Sequence, residues 1–106
     1  MGFLDALRGP DINRGVAEYQ STEGAVLLDV RTAEEYKGGH IPGSKNIPVD
    51  AIERVPSVVQ DKDAPVFVHC LSGARSTRAA AAMRRMGYTN VKNIGGINGY
   101  HGKVER

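Results

Sequence analysis

Two periods of hydrophobic and polar residues run along the chain, and each change from one to the other marks an element. Asp11 can cap a helix on which Ile12, Val16 and Tyr19 recur at helical spacing, and Ser21-Thr22-Glu23-Gly24 breaks it. The largely apolar segment Ala25 to Val30 then predicts a strand. Thr32 with Glu35 three residues on forms a capping box, which predicts a short helix from Thr32 to Tyr36 stopped by Gly38 and Gly39. Ser44 to Ile47 reads as a brief strand. Val49 to Val59 predicts one or two helical turns interrupted by Pro56, followed by an exposed loop at Asp61-Lys62-Asp63. Pro65 to His69 is a second buried strand, rich in β-branched and aromatic residues. Ser76 to Met86 is a long helix with Ala79, Met83 and Met86 on one face and Gly87 at its stop, and Thr89 to Ile94 is the last strand. Strands alternating with helices predict an α/β domain, its central sheet mainly parallel with helices on both faces and its ligands at the carboxyl ends of the strands. Asp29 and Cys70 fall at two such ends, so one pocket is expected to contain both.

Cys70, the single cysteine, lies where a strand ends and a helix begins. The turn from Cys70 to Ala74 feeds the positive end of that helix, and its backbone N–H groups can curl around an anion held at the sulfur. A free thiol has a pKa of about 8.5, and cysteines at helix N-termini beside cations fall to roughly 3.5–7.5. Arg75 adds such a cation. The ordinary alternative is a packed core cysteine. A core cysteine has no need of the run Ser-Gly-Ala-Arg-Ser, residues 72–76, close behind it, so a reactive thiolate is expected.

Size and charge narrow the classes. With 106 residues and 11.4 kDa the expectation is one domain, 1–106, with a core from about 11 to 101. A net charge of +2 without a basic run interleaved with aromatics argues against nucleic acid as a partner. One cysteine excludes an internal disulfide and a metal site built on paired cysteines. His40, His69 and His101 show no ligand spacing, so neither a metal nor another cofactor is expected. The first residues lack a secretory pattern and no segment is long enough to span a bilayer, so the expected site is cytoplasmic, away from a membrane. Phe3, Leu4 and Leu7 share a helical face, read as a terminal turn packing on its own domain.

The loop His69-Cys70-Leu71-Ser72-Gly73-Ala74-Arg75-Ser76 resembles the active-site loop of the rhodanese family of sulfurtransferases. Leu27-Leu28-Asp29-Val30-Arg31-Thr32-Ala33-Glu34-Glu35-Tyr36, then His40-Ile41-Pro42-Gly43-Ser44 and Asn46-Ile47-Pro48, is similar to that family's amino-terminal signature. Gly95-Gly96-Ile97-Asn98-Gly99-Tyr100 is similar to its carboxy-terminal one, with Tyr100 where the family often has tryptophan. Three matches in the family's order, from Val26 to Tyr100, are far more specific than one. The resemblance implies a rhodanese-like fold and a persulfide carried on Cys70 between a small sulfur donor, such as thiosulfate or polysulfide, and a thiol or cyanide acceptor.

In this reading Cys70 is the nucleophile, and Leu71, Ser72, Gly73, Ala74 and Arg75 supply a cradle of backbone N–H groups. Ser72 or Ser76 can bond sulfur or substrate through its hydroxyl, or Ser76 can simply cap the helix. Arg75 can orient an anionic donor or lock the loop by bonding backbone carbonyls. Asp29 and Arg31 match the family's Asp-x-Arg and are read as scaffold tying neighbouring loops, as is His40. His69 precedes the nucleophile on a strand, so its side chain is expected on the opposite face, in the core. Arg78, Arg84 and Arg85 belong to a solvated helix face.

Two other classes stay open. A sulfur-delivery or binding module, with a thiol-bearing protein as the true partner, uses the same residues. Tyrosine phosphatases and some arsenate reductases also place a cysteine and an arginine around an anion loop. Four residues separate Cys70 from Arg75 where the phosphatase signature has five, and the smaller ring suits a single sulfur atom.

Overall fold

The computed structural model describes residues 9–106, so the expected face of Phe3, Leu4 and Leu7 lies outside the described residues. Four strands, β1 (Val26–Asp29), β2 (Lys45–Asn46), β3 (Val66–Cys70) and β4 (Val91–Gly96), form a parallel sheet in the order β2-β1-β3-β4. Three α-helices are placed between them in sequence or before them: α1 (Ile12–Gln20), α2 (Ala33–Lys37) and α3 (Ala74–Arg85).

The two faces of the sheet bury different sets of side chains, as the period-two alternation of strands requires. Leu28, Val30, Val66, Val68 and Cys70 face Ala79 and Met83 of α3 together with Val55 and Val59. Leu27, Phe67 and Ile94 face Ile12 and Val16 of α1. Helices therefore cover both faces of the sheet.

Local signals act where the sequence places them. Asp11 caps α1 by accepting from the Asn13 N–H at 3.0 Å. Both bonds of the capping box at Thr32 and Glu35 are made, and Gly38 caps the other end of α2. Two boundaries differ. Residues Val49–Ser57 form a 3₁₀ segment kinked at Ala51, and Pro56 lies inside it without ending it. The strand carrying the cysteine runs one residue further than expected and α3 begins at Ala74 instead of Ser76. The turn between them shrinks to Leu71-Ser72-Gly73, which Gly73 permits by taking φ +110°.

Close backbone approaches set the positions of the layers. A Cβ at Gly15 would overlap the Ile94 side chain, so α1 sits on β4 only because that side chain is missing. Gly15→Ala should overpack this contact at a cost of about 1–3 kcal/mol, more than the roughly 1 kcal/mol that alanine gains over glycine within a helix. Urea unfolding measures the balance, and Ile94→Val in the same background should restore part of the loss. Undiminished stability in Gly15→Ala would mean that α1 slides freely on the sheet.

Candidate active site

The sulfur of Cys70 lies at the junction of strand and helix, and the polypeptide bends around it. The Gly73 N–H donates to Sγ at 3.1 Å and the Ser76 N–H at 3.3 Å. Ser76 belongs to the first turn of α3, where amide donors have no partner within the helix, and here they are spent on sulfur. Its Oγ is 3.5 Å from Sγ and donates to the Gly73 carbonyl at 3.0 Å. With the hydroxyl proton on Gly73, the thiol can donate to Oγ; in the thiolate the hydroxyl can turn and donate to sulfur. The Gly73 carbonyl stays satisfied through Thr77, whose hydroxyl donates to it at 2.8 Å.

Cys70 is only 1% exposed. Burial pushes its thiol pKa up, and the bonds from the Ser76 hydroxyl and from the amides of Ser76, Gly73 and Ser72 outweigh burial, so the net displacement is downward. The amides on sulfur are therefore those of Ser72, Gly73 and Ser76, and those expected from Leu71, Ala74 and Arg75 are not among them. Leu71 is exposed, and its carbonyl accepts from the Asn98 N–H at 3.1 Å. Ala74 opens the helix at the surface, and the Ser72 side chain is likewise exposed. Ser76 bonds the sulfur and is not the helix cap, a position that Gly73 takes.

Arg75 does something the sequence did not indicate. Its Nη1 and Nη2 donate to the Glu35 Oε1 and Oε2 at 2.6 and 3.0 Å, a bidentate pair between α3 and α2, so the expected bond to backbone carbonyls is replaced by one to a carboxylate. The Arg75 guanidinium holds the Glu35 carboxyl at about 2, against its burial and with help from the Thr32 bonds. Arg75 in turn is kept charged chiefly by Glu35, with a smaller contribution from Cys70. Glu35 is thereby brought to the site, although sequence reasoning placed it only in the capping box and the amino-terminal signature and gave it no part there. Forty positions separate the pair, and no local signal reaches across such a gap.

Asp29 and Arg31 form a different unit. Asp29 accepts from the Arg31 N–H at 3.0 Å and from its guanidinium at 2.7 Å, with both side chains buried. The Arg31 Nη2 also reaches the Gly39 carbonyl, and the Asn46 amide bonds the carbonyls of Asp29 and Arg31. His40 stacks on Tyr36 at 3.8 Å and bonds its carbonyl. This is scaffold, tying the β1, α2 and β2 loops together. The expectation of one pocket for Asp29 and Cys70 fails, because Asp29 pairs in register with His69 while Cys70 faces α3, so their side chains occupy opposite faces. His69 is fully buried on the Asp29 side, as strand geometry requires, with Nε2 lacking a hydrogen-bond partner among the described residues and 3.9 Å from Asp29 Oδ2.

A cleft of about 490 Å³ adjoins the loop, between the N-terminal ends of α1 and α3. Ser72, Gly73, Ala74 and Thr77 form one wall, and Asp11, Asn93, Gly95, Gly96 and Asn98 are among the others. Gly96 is required for the close passage of the loop, since a Cβ there would overlap the Leu71 carbonyl and Ser72 Cα. Among the described residues, no group of histidine, cysteine and carboxylate side chains is arranged to hold a metal, and no helix is long and apolar enough to cross a membrane.

A family model described as Rhodanese-like domain matches residues 14–103. The YqhL protein of Bacillus subtilis is 38% identical over 82 residues, which cover 76% of this chain and 64% of YqhL. The chain therefore spans slightly less than two thirds of that relative. Thiosulfate sulfurtransferase PspE of Escherichia coli is 41% identical over 71 residues, 66% of this chain and 68% of PspE. A solved structure described as rhodanese with anions from E. coli superimposes with a TM-score of 0.73 at 35% identity, covering 77% of this chain and 98% of that one.

Two outcomes follow from the hydrogen bonding. Ser76→Ala removes a bond that favours the thiolate, so the pH midpoint of Cys70 alkylation should rise; an unchanged midpoint would assign the lowering to the amides alone. Burial lowers the His69 pKa below 6.5, with Arg31 adding to that and Asp29 opposing it. The unfolded imidazole then takes up a proton that the folded one refuses, so stability should decline as pH falls from about 6.5 towards the folded-state value. Urea unfolding across this range, repeated in His69→Gln, isolates the contribution, and a slope unchanged by the substitution would remove His69 as its source.

Proposed function

Because the chain belongs to the rhodanese-like domain family, whose relatives include sulfurtransferases, we propose that Cys70 carries sulfane sulfur as a persulfide between a donor and a thiol or cyanide acceptor. The observation that carries this reading is the pair of amides on Sγ. Donors preorganised on a thiolate act before the reaction begins and need no rearrangement during it. In the loading half, the thiolate attacks the outer sulfur of the donor. A bond forms between Sγ and that sulfur, the donor's sulfur–sulfur bond breaks, and its electron pair leaves on sulfite or a thiolate. In the discharge half, the acceptor attacks the outer sulfur of the persulfide and the Cys70 thiolate departs.

Sulfur transfer is favoured over phosphate chemistry by two features. The ring from Cys70 to Arg75 is one residue shorter than the phosphatase ring. The Arg75 guanidinium is also occupied by Glu35, leaving it poorly placed to clamp a tetrahedral oxyanion. A thiol-bearing protein as acceptor uses the same half-reactions, and the site needs no cofactor for them.

Intact mass spectrometry tests the reading. Treatment with thiosulfate or polysulfide should add the mass of one sulfur atom per chain, cyanide or a small thiol should remove it, and Cys70→Ala should show neither step. Sulfur transfer retained in Cys70→Ala would overturn the assignment, as would efficient hydrolysis of an aryl phosphate by the wild type.

A further inference from the structure

The cation nearest the reacting sulfur in sequence does not stand free. Arg75 meets Glu35 through both guanidinium nitrogens, each side chain 29% exposed, so the pair presents almost no net charge to an approaching ion. Arg31, the other arginine of the matched segments, is buried against Asp29 on the far face of the sheet. The exposed residues of the loop itself are uncharged. Leu71, next to the cysteine, is 43% exposed, and Ser72 and Ala74 are exposed beside it. Among the described residues lining the adjoining cleft, Asp11 alone is charged, and its charge is negative.

A second constraint is steric. With Cys70 only 1% exposed, a donor must present its outer sulfur through a narrow opening. The outer sulfur of thiosulfate is backed directly by a sulfonate carrying a double charge. That of an alkyl persulfide is backed by one divalent sulfur and a slender chain, for which an exposed leucine is a compatible neighbour.

We propose that the site is built for a thiol-borne persulfide in preference to the thiosulfate dianion, and that Glu35 is the residue that sets this preference by neutralising Arg75. The proposal rests on the sulfur-transfer reading above. Loading then follows Cys70–S⁻ + R–S–SH → Cys70–S–S⁻ + R–SH: the Sγ–S bond forms, the donor's S–S bond breaks, and its inner sulfur leaves with the electron pair and takes the donor's proton. No oxidant is consumed. Glu35 acts through Arg75 and is a positioning residue, not a catalytic one.

Glu35→Gln is the test, because glutamine retains an oxygen to accept from the Thr32 N–H and so preserves the helix cap while releasing a net positive charge at Arg75. Loading is followed by intact mass with two probes, thiosulfate and freshly prepared 2-hydroxyethyl persulfide. In the wild type the persulfide should load at least about tenfold faster. In Glu35→Gln the thiosulfate rate constant should rise about fivefold, the scale of one unscreened charge acting on a dianion at close range. The persulfide rate should stay within about twofold, and added salt should erase the thiosulfate gain. Leu71→Lys supplies a second route: it places a cation on the exposed rim without touching the ion pair and should raise thiosulfate loading likewise, which keeps the test decisive if Glu35→Gln folds poorly. Equal wild-type rates for the two donors would overturn the proposal. So would donor ratios unmoved in both variants. If neither donor adds sulfur to Cys70, the sulfur-transfer reading itself falls, an outcome distinct from a failed preference.

Discussion

Strand β3 must become helix α3 within three residues, and this tight reversal is the constraint on which the site depends. It places the first-turn amides of the helix on the last side chain of the strand. Three features make it possible. Gly73 takes a backbone conformation that side chains oppose. Gly96 lets the end of β4 pass against the loop, and the Asn98 N–H ties the Leu71 carbonyl in place. Cys70 faces the packed side of the sheet, where Ala79 and Met83 fix the height of α3 above it. Apart from Cys70 itself, none of these residues is chemically reactive, yet together they aim the amides that favour the thiolate.

A second level of support lies on α2, and it joins two roles in one carboxylate. Glu35 completes a local helix cap and, through its remaining acceptor capacity, clamps Arg75 of α3. The Asp29–Arg31 unit works below it, holding β1, β2 and the loop at Gly39 in register from the opposite face of the sheet. The sheet therefore has one face that carries the cysteine and another that carries the Asp29–Arg31 scaffold. Alternation along β3 assigns Cys70 to the first and His69 to the second.

Much of this was legible in the residues because it is local. Helix caps at Asp11 and Thr32, the parallel α/β order, the inward turn of His69 and the amide cradle at Cys70 each follow from spacing or from a dihedral preference within a few positions. Boundaries were legible only approximately: Ala74 and Arg75 join α3 because the sulfur satisfies helix-end amides, an interaction invisible until strand and helix are both in place. Glu35 meeting Arg75 was not legible, since the contact is made by the packing of α2 beside α3. The separation of Asp29 from Cys70 was within reach. Strand pairing places Asp29 opposite His69, and strand alternation turns His69 away from the face of Cys70, so the same parity applied to β1 separates the two side chains.

Ionisation of the one thiol and folding of the chain are a single linked equilibrium. The amides that lower the Cys70 pKa exist around sulfur only in the folded state, so the free energy they give the anion is returned to the fold. That contribution is complete above the unfolded thiol's pKa and fades as pH falls through the lowered folded value. A persulfide keeps a negative charge within the cradle, whereas a capped, uncharged sulfur leaves helix-end amides facing nothing that needs them. On the sulfur-transfer reading proposed above, the empty and loaded forms are accordingly similar in stability, and an irreversibly blocked one is marked by a weaker fold.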